Sequence, residues 1–282
     1  MIWSDPREAE EEVKEFYSKQ YRKEYKGITK PKKKHVYRDA KEAIKRYNFF
    51  KEVIREGDSL LDIGAGNGVF VYSMRQLGLN AKGIEPDENH ARYAREELQV
   101  PVATGFAQDI AEKEPLDIVT LHHVLEHMTN PLGELGKIYA ILKEGGHLVV
   151  EVPNAEDIKQ DPKNRYHKAH IYTFNPESLV ALGYSAGFRL IKKSVAPLNG
   201  NISIIFKKTM KENNNPEIGN NYSKITGLLK SHTNFRHFTS SVPYKKVFVN
   251  ALVAIREQMA IRGLDDEKAI INSVMSTDCQ KE

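Results

Sequence analysis

The chain has 282 residues, a formal net charge of +4, and 40% apolar and 28% charged residues. That balance suits a globular protein with a full core and excludes a fibrous or disordered chain. A single cysteine, Cys279, excludes an internal disulfide framework or a cysteine-based zinc site and fits a reducing compartment.

The opening MIWSDPREAEEEVKEF is acidic and has no apolar run, so no signal peptide is expected in it. No stretch approaches the ~18 apolar residues of a membrane span, and a cytoplasmic protein is expected. Residues 5–20 read as a polar helix, with Asp5 as cap and Pro6 in its first position. Between Arg22 and Arg46 stand eleven Lys or Arg against three acids. This is either a solvated basic face or a patch for an anionic substrate or membrane headgroups. RDAKEAIKRYNFFKEVI then carries Ala40, Ala43, Ile44, Tyr47 and Phe50 at helical spacing.

From residue 58 short apolar runs alternate with helical patterns. SLLDIG, NAKGIEP, VATG, LDIVTLHHV and GHLVVEVP read as strands. VFVYSMRQLG, ENHARYAREEL, NPLGELGKIYAIL and NPESLVALGYSAG read as helices, the last two with Asn-Pro starts. FRLIKKSV and NISIIFKK form a final antiparallel pair. Such alternation predicts a Rossmann-like, doubly wound α/β fold. It would have a seven-stranded, mostly parallel sheet with helices on both faces, and helical extensions at both ends. The division expected is an N-terminal helical arm or lid over 1–39, the main domain over 40–208, and a linker with C-terminal helical extension over 209–282. PYKKVFVNALVAIREQM in that extension can pack on the core or pair two copies into a homodimer.

LLDIGAGNGVF, residues 60–70, sets glycines at 64, 66 and 68 directly after the first strand. Loops there face the ligand in doubly wound sheets. Gly64 and Gly66 permit backbone angles that other residues resist. Asp62 can accept from an amine or order the loop. Glu85 ends the second strand, 21 residues after Gly64, where an acid can accept from both ribose hydroxyls. A dinucleotide fingerprint G-x-G-x-x-G would want glycine where Val69 stands. No Lys-Ser or Lys-Thr follows the glycines, which excludes a P-loop.

With the motifs GIEPDENHARYA, GFAQDI, DIVTLHHVLEHMTNP, LKEGGHLVVEVPN and HIYTFNPESLVALGYSAGF following in order, residues 45–206 resemble the class I S-adenosylmethionine-dependent methyltransferases. The resemblance implies that the loop containing Gly64, Ala65, Gly66 and Gly68 cradles the methionine part of S-adenosylmethionine. It implies that Glu85 holds the ribose, that Asp109 meets the adenine amino group, and that Pro86 and Asp87 flank the adenosine. His122 and Arg46 join this cofactor set, Arg46 as a partner for the methionine carboxylate. Tyr21 and Tyr25 belong to an arm that closes over the cofactor in such enzymes.

His123, Glu126 and His127 stand at i, i+3, i+4 and share a face if that turn is helical. They can then bind a divalent metal. The segment is similar to that of quinone-biosynthesis O-methyltransferases, which carry Glu-x-x-Glu-His there and can use a divalent ion. This chain departs from them at His123. The alternative is that Glu126 and His127 are hydrogen-bonded residues beneath the cofactor. In NRYHKAHIYTF, His167 and His170 are candidate general bases, with His127 a third. Arg165 and Lys168 can hold an acid or phosphate group. His170 leads, because related small-molecule and glycan methyltransferases often place a histidine four residues before an aromatic, here Phe174.

The function expected is methyl transfer to a hydroxyl of a small molecule, with sugar or glycan-biosynthesis intermediates ahead of quinone-like acceptors and RNA. A nicotinamide oxidoreductase and a non-catalytic cofactor-binding module are the rivals from other classes.

Overall fold

A computed structural model describes residues 1–3, 31–110, 114–157, 162, 169–196, 200–209, 216, 219–264 and 266–279. The helix expected over 5–20, Tyr21, Tyr25, Arg165, His167 and Lys168 lie outside the described residues, as does the basic stretch before Pro31.

The described strands are β1 (Ile2–Trp3), β2 (Ser59–Ile63), β3 (Asn80–Glu85), β4 (Val102–Thr104), β5 (Leu116–His122), β6 (Leu142–Pro153), β7 (Tyr172–Thr173), β8 (Phe188–Val195) and β9 (Asn201–Lys208). Seven of them form one sheet in the order β4-β3-β2-β5-β6-β9-β8. β2, β3 and β4 run parallel, and β8 and β9 close the far edge as an antiparallel pair. The α/β fold read from the sequence is therefore the observed one. The helices are α1 (Lys33–Phe50), α2 (Val69–Gln76), α3 (Glu88–Tyr93), α4 (Pro131–Ile141), α5 (Pro176–Ser185), α6 (Asn221–Ser231), α7 (Asn234–Thr239), α8 (Val242–Ala260) and α9 (Glu267–Cys279).

The chain divides into two compact units. One comprises Met1–Arg7, Leu121–Ala140 and Leu148–Ala254, and the other Glu8–Thr120, Ile141–His147 and Ile255–Glu282. These units interleave in sequence. The 39/40 boundary falls inside α1, an unbroken helix whose buried residues Val36, Ala40, Ala43, Ile44 and Phe50 lie on both sides of it.

In the second unit, α9 packs against α1 through Ile270, Ile271 and Val274, all buried. A forked ion pair from Arg38 to Glu257 ties the end of α8 to α1, with Nη2 2.7 Å from Oε2. The C-terminal extension thus supports the helix that precedes the glycine loop. The start of that loop is fixed by glycine geometry. Gly64, Gly66 and Gly68 have φ of 76°, 57° and 77°, the left-handed region that penalises any side chain. Gly68 has a second reason. A Cβ there would lie 2.5 Å from the Ala94 Cβ, so the third glycine of G-x-G-x-G performs the close helix approach that a dinucleotide loop assigns to its later glycine.

In the first unit, β1 pairs antiparallel with β7, Ile2 opposite Thr173 and Trp3 opposite Tyr172. No periodicity announces this strand, because two residues are too few to show a period. Asn175 caps α5, its side chain accepting from Ser178 N. Gly183 lets α5 approach β9, since a Cβ there would collide with the Phe206 ring. Phe188 stacks near Phe206 and Tyr139 to complete this core, the latter contact edge-on at 5.4 Å.

Gly68→Ala combines left-handed backbone with a collision and is expected to cost about 2–4 kcal/mol. Gly57→Ala, at φ +85° with open space around it, carries the backbone term alone, about 1–2 kcal/mol. Chemical denaturation of the two variants checks this. Equal losses would mean that Gly68 is needed for its backbone angle and not for the approach to Ala94.

Candidate active site

The second unit holds the glycine loop and the acids expected around it. Asp62 is buried in β2 and accepts from the Thr120 hydroxyl at 2.7 Å, which orders the strand end. Gly64 N and Ala65 N both donate to Ile84 O, at 2.8 and 3.0 Å. Gly66 N donates to Glu85 Oε2 at 2.7 Å and Asp87 N to Glu85 Oε1 at 3.0 Å. Gly68 N donates to Ala65 O, and Val69 N to Asn67 Oδ1. The loop therefore spends these five backbone donors inside the protein. A pyrophosphate site would turn such donors toward its anion, so this loop suits a ligand bound by shape and by acceptors.

Glu85 is buried and each of its oxygens accepts one backbone N–H. A carboxylate is an acceptor-only group with two oxygens, the chemistry that suits ribose hydroxyls. Asp87 caps α3 by accepting from Asn89 N and His90 N. Pro86, between Glu85 and Asp87, is half-buried. Asp109 Oδ2 accepts from Phe106 N at 2.8 Å and closes the turn Ala107–Asp109. Arg46 lies half-buried on α1.

Two residues absent from the sequence reading belong here. Asn67 donates to Asp39 at 2.7 Å and ties the loop to α1. Gly83 in β3 lets Ala65 approach, because a Cβ there would sit 2.5 Å from the Ala65 Cβ. A glycine inside an apolar strand was the available signal for it.

The first unit holds the histidines. His122 ends β5 and is half-buried. The turn after it is not the helical face expected. His123 has φ 58°, and only Leu125–His127 form a 3₁₀ turn. His123 is consequently directed at two acids rather than sharing a face with His127. Its Nδ1 lies 3.5 Å from Glu126 Oε1, its Nε2 3.3 Å from Glu151 Oε1, and the Asn201 amide 3.0 Å from Nε2. With both ring nitrogens committed, His123 is not a metal ligand in this arrangement. Desolvation works against its charge, but contacts with Glu126 and Glu151 outweigh this and raise its pKa to about 9. Glu151, buried and in contact with the Ser203 hydroxyl, was legible only as an acid inside the apolar run LVVEVP.

The group that does come together is Glu126, His127 and His170, with one ligand atom from each within 4.8 Å of the others. The His127 and His170 rings meet edge-on at 4.8 Å. His127 Nδ1 bonds to Ala169 O at 2.8 Å. A carbonyl only accepts, so Nδ1 carries the proton and the lone pair of a neutral ring lies on Nε2. That atom is 3.8 Å from Glu126 Oε1. Glu126 is 1% exposed and neither oxygen has a well-formed hydrogen bond. Burial raises its pKa, yet His123, His127 and His170 more than offset this and hold it below the usual carboxylate range. A lone pair facing a buried carboxylate favours arrival of a positive charge between them, as a proton or a cation.

The His123 charge links stability to pH. Its contribution is fully present below its ordinary pKa of about 6.5 and is lost as pH rises through about 9. His123→Asn keeps a residue tolerant of left-handed backbone and removes the charge. Wild type should melt well above this variant at pH 6, and the gap should narrow by pH 9.5. A gap constant with pH would show that His123 is not charged in the fold.

Comparison with known proteins places these features. Residues 33–193, more than half of the 282, match the family model described as a methyltransferase domain. The ubiquinone biosynthesis O-methyltransferase of Cupriavidus pinatubonensis is 32% identical over 105 residues, covering 35% of this chain and 42% of that protein. The chain thus aligns with less than half the length of this relative. The magnesium protoporphyrin IX methyltransferase of Synechocystis PCC 6803 with bound S-adenosylhomocysteine superposes with a TM-score of 0.55 at 11% identity, over 71% of this chain and 100% of that one. The 1,6-didemethyltoxoflavin-N1-methyltransferase of Burkholderia thailandensis does so with a TM-score of 0.53 at 16% identity, over 73% and 93%. The chain belongs to the methyltransferase domain family.

Proposed function

We propose that this enzyme transfers the methyl group to a hydroxyl oxygen of a small aromatic, quinol-like acceptor, with His170 as the base. The observation that carries this is the Glu126–His127–His170 group. The acceptor O–H gives its proton to His170, the oxygen attacks the sulfonium methyl carbon, and the carbon–sulfur electrons return to sulfur as S-adenosylhomocysteine leaves. Glu126 stabilises the imidazolium, while His127 is oriented by Ala169. The chemical leaving group needs no activation, so alignment and proton removal supply most of the acceleration.

A phenolic hydroxyl, with a pKa near about 10, gives up its proton to an imidazole far more readily than a sugar hydroxyl does. This favours quinol-like acceptors over the sugar-containing ones that the sequence put first, and the similarity to ubiquinone biosynthesis O-methyltransferases points the same way. On the donor side we assign the ribose to Glu85, the methionine part to the Gly64–Gly68 loop with Asp62 and Arg46, and the adenine side to Pro86 and Asp109.

The same three side chains also fit a divalent cation: one carboxylate whose buried oxygens lack hydrogen bonds and two imidazoles, one held in place by a backbone carbonyl. A bound cation would act as a Lewis acid that lowers the hydroxyl pKa. Glu126, His127 and His170 would hold it, and His123 would not.

A labelled-methyl screen across quinols, sugars and RNA tests the acceptor class, and transfer to sugars alone would reject the quinol. His170→Ala should lower kcat by about 10²–10⁴-fold and leave S-adenosylmethionine affinity within threefold. Full activity would remove it as the base. Turnover unchanged by chelator, in protein free of bound metal, would exclude the cation. Glu85→Ala should weaken S-adenosylmethionine binding by about 10–100-fold, the size expected for hydrogen bonds to a charged group. Unchanged affinity in a calorimetric titration would contradict the ribose assignment.

A further inference from the structure

Residues 219–254, beyond the part that matches the family, contain five Lys or Arg and no Asp or Glu. The chain as a whole has 42 basic against 38 acidic residues, so an acid-free run of this length is a local feature. It folds as α6, α7 and the first part of α8. Four of its aromatic residues face outward. Tyr222 is 82% exposed, Phe235 78%, Tyr244 66% and Phe238 55%.

The local geometry explains why. α7 turns His237 inward, buried against His232 with nitrogens 3.3 Å apart. Phe235 and Phe238, at i and i+3, are both exposed on α7, and the Phe238 ring meets that of His237 edge-on at 5.2 Å. Tyr244 joins them, its hydroxyl donating to Phe238 O at 3.2 Å. Lys230, near the end of α6, and Arg236, between the two phenylalanines on α7, are exposed. Val249, Leu252 and Val253 continue the exposed apolar character along α8. Three neighbouring aromatics in water are costly for a monomer surface and mark a contact face.

We propose that this face docks on an anionic lipid bilayer, lying in the headgroup layer without crossing it. Aromatic rings concentrate at that depth, where one end is apolar and the other wet. Basic side chains next to them meet the negative surface potential. No described helix is long and apolar enough to cross a membrane, which matches a peripheral attachment. A second copy of the chain fits less well, because a two-fold interface sets the patch against itself and would oppose two acid-free basic segments. Single-stranded nucleic acid fits the charge and the rings but gives Val249, Leu252 and Val253 nothing to stack on. The proposal does not depend on which acceptor is methylated.

Vesicle co-sedimentation tests it with the full chain. Vesicles of phosphatidylcholine with about one-third phosphatidylglycerol should pellet the protein, and phosphatidylcholine alone should not. Binding should fall with added salt. Phe235→Ser with Phe238→Ser should weaken partitioning by at least about tenfold, and Lys230→Gln with Arg236→Gln by about tenfold or more. Both pairs are solvent-exposed, so unchanged circular dichroism and S-adenosylmethionine affinity should confirm that the fold is kept. No sedimentation with anionic vesicles overturns the proposal, as does sedimentation untouched by the aromatic pair. Retention of an RNA oligonucleotide without vesicle binding, or a dimer in sedimentation equilibrium that the aromatic pair dissolves, also overturns it.

Discussion

The constraint on which the cofactor side rests is the buried Glu85 carboxylate. Its two oxygens hold Gly66 N at 2.7 Å and Asp87 N at 3.0 Å, so one side chain joins the first loop of the sheet to the second. The joint works only because neighbouring positions are bare. Gly83 admits Ala65, and Gly68 admits Ala94. Left-handed angles at three glycines then bend the loop until its N–H groups meet acceptors of its own unit. The result is a loop rigid before any ligand arrives, and preorganisation of this kind reduces the entropy lost on binding. A cradle with its donors already committed is poorly suited to pyrophosphate.

The histidine-bearing unit follows a different logic. There the controlling quantity is charge in a poorly solvated place. Two buried acids, Glu126 and Glu151, would be costly alone. His123 reaches both, and its positive charge is what makes the pair tolerable. Even so, the Glu126 oxygens keep no good hydrogen bond, so part of the cost remains. That residue of unbalanced charge faces His127 and His170. A site that gains a proton or a cation relieves the imbalance, which is the electrostatic condition for a base. Stability and chemistry are thereby opposed at Glu126, a conflict common where a buried group is kept for function.

What could be read in the sequence divides along the same line. The sheet, Glu85 at the end of its second strand and the left-handed glycine loop were all legible. They depend on backbone period and on glycine's missing side chain, both local properties. The histidine cluster was legible in membership but not in arrangement. His170 and His127 stood out, yet the trio of His123, Glu126 and His127 assumed a helix where His123 takes a left-handed angle that breaks the turn. Glu151 pairs with His123 from 28 positions away in the chain, and no periodicity reports such a contact. β1 escaped notice because a two-residue strand is defined by its partner, Tyr172–Thr173, and not by its own pattern. The interleaving of the two units is likewise a property of contacts and not of composition.

These two kinds of legibility follow from what each part must recognise. On the proposed roles the donor is one molecule, so its cradle can be built from backbone geometry, and backbone geometry leaves a compact motif. An acceptor is distinguished by where its hydroxyl lies and how acidic it is. Those properties are met by a few side chains held at a distance from one another in sequence, and small rearrangements change the match. Asn201 on β9, Glu151 on β6 and His170 before β7 each come from a different element. On the role proposed for this cluster, acceptor choice can drift while the glycine loop stays fixed.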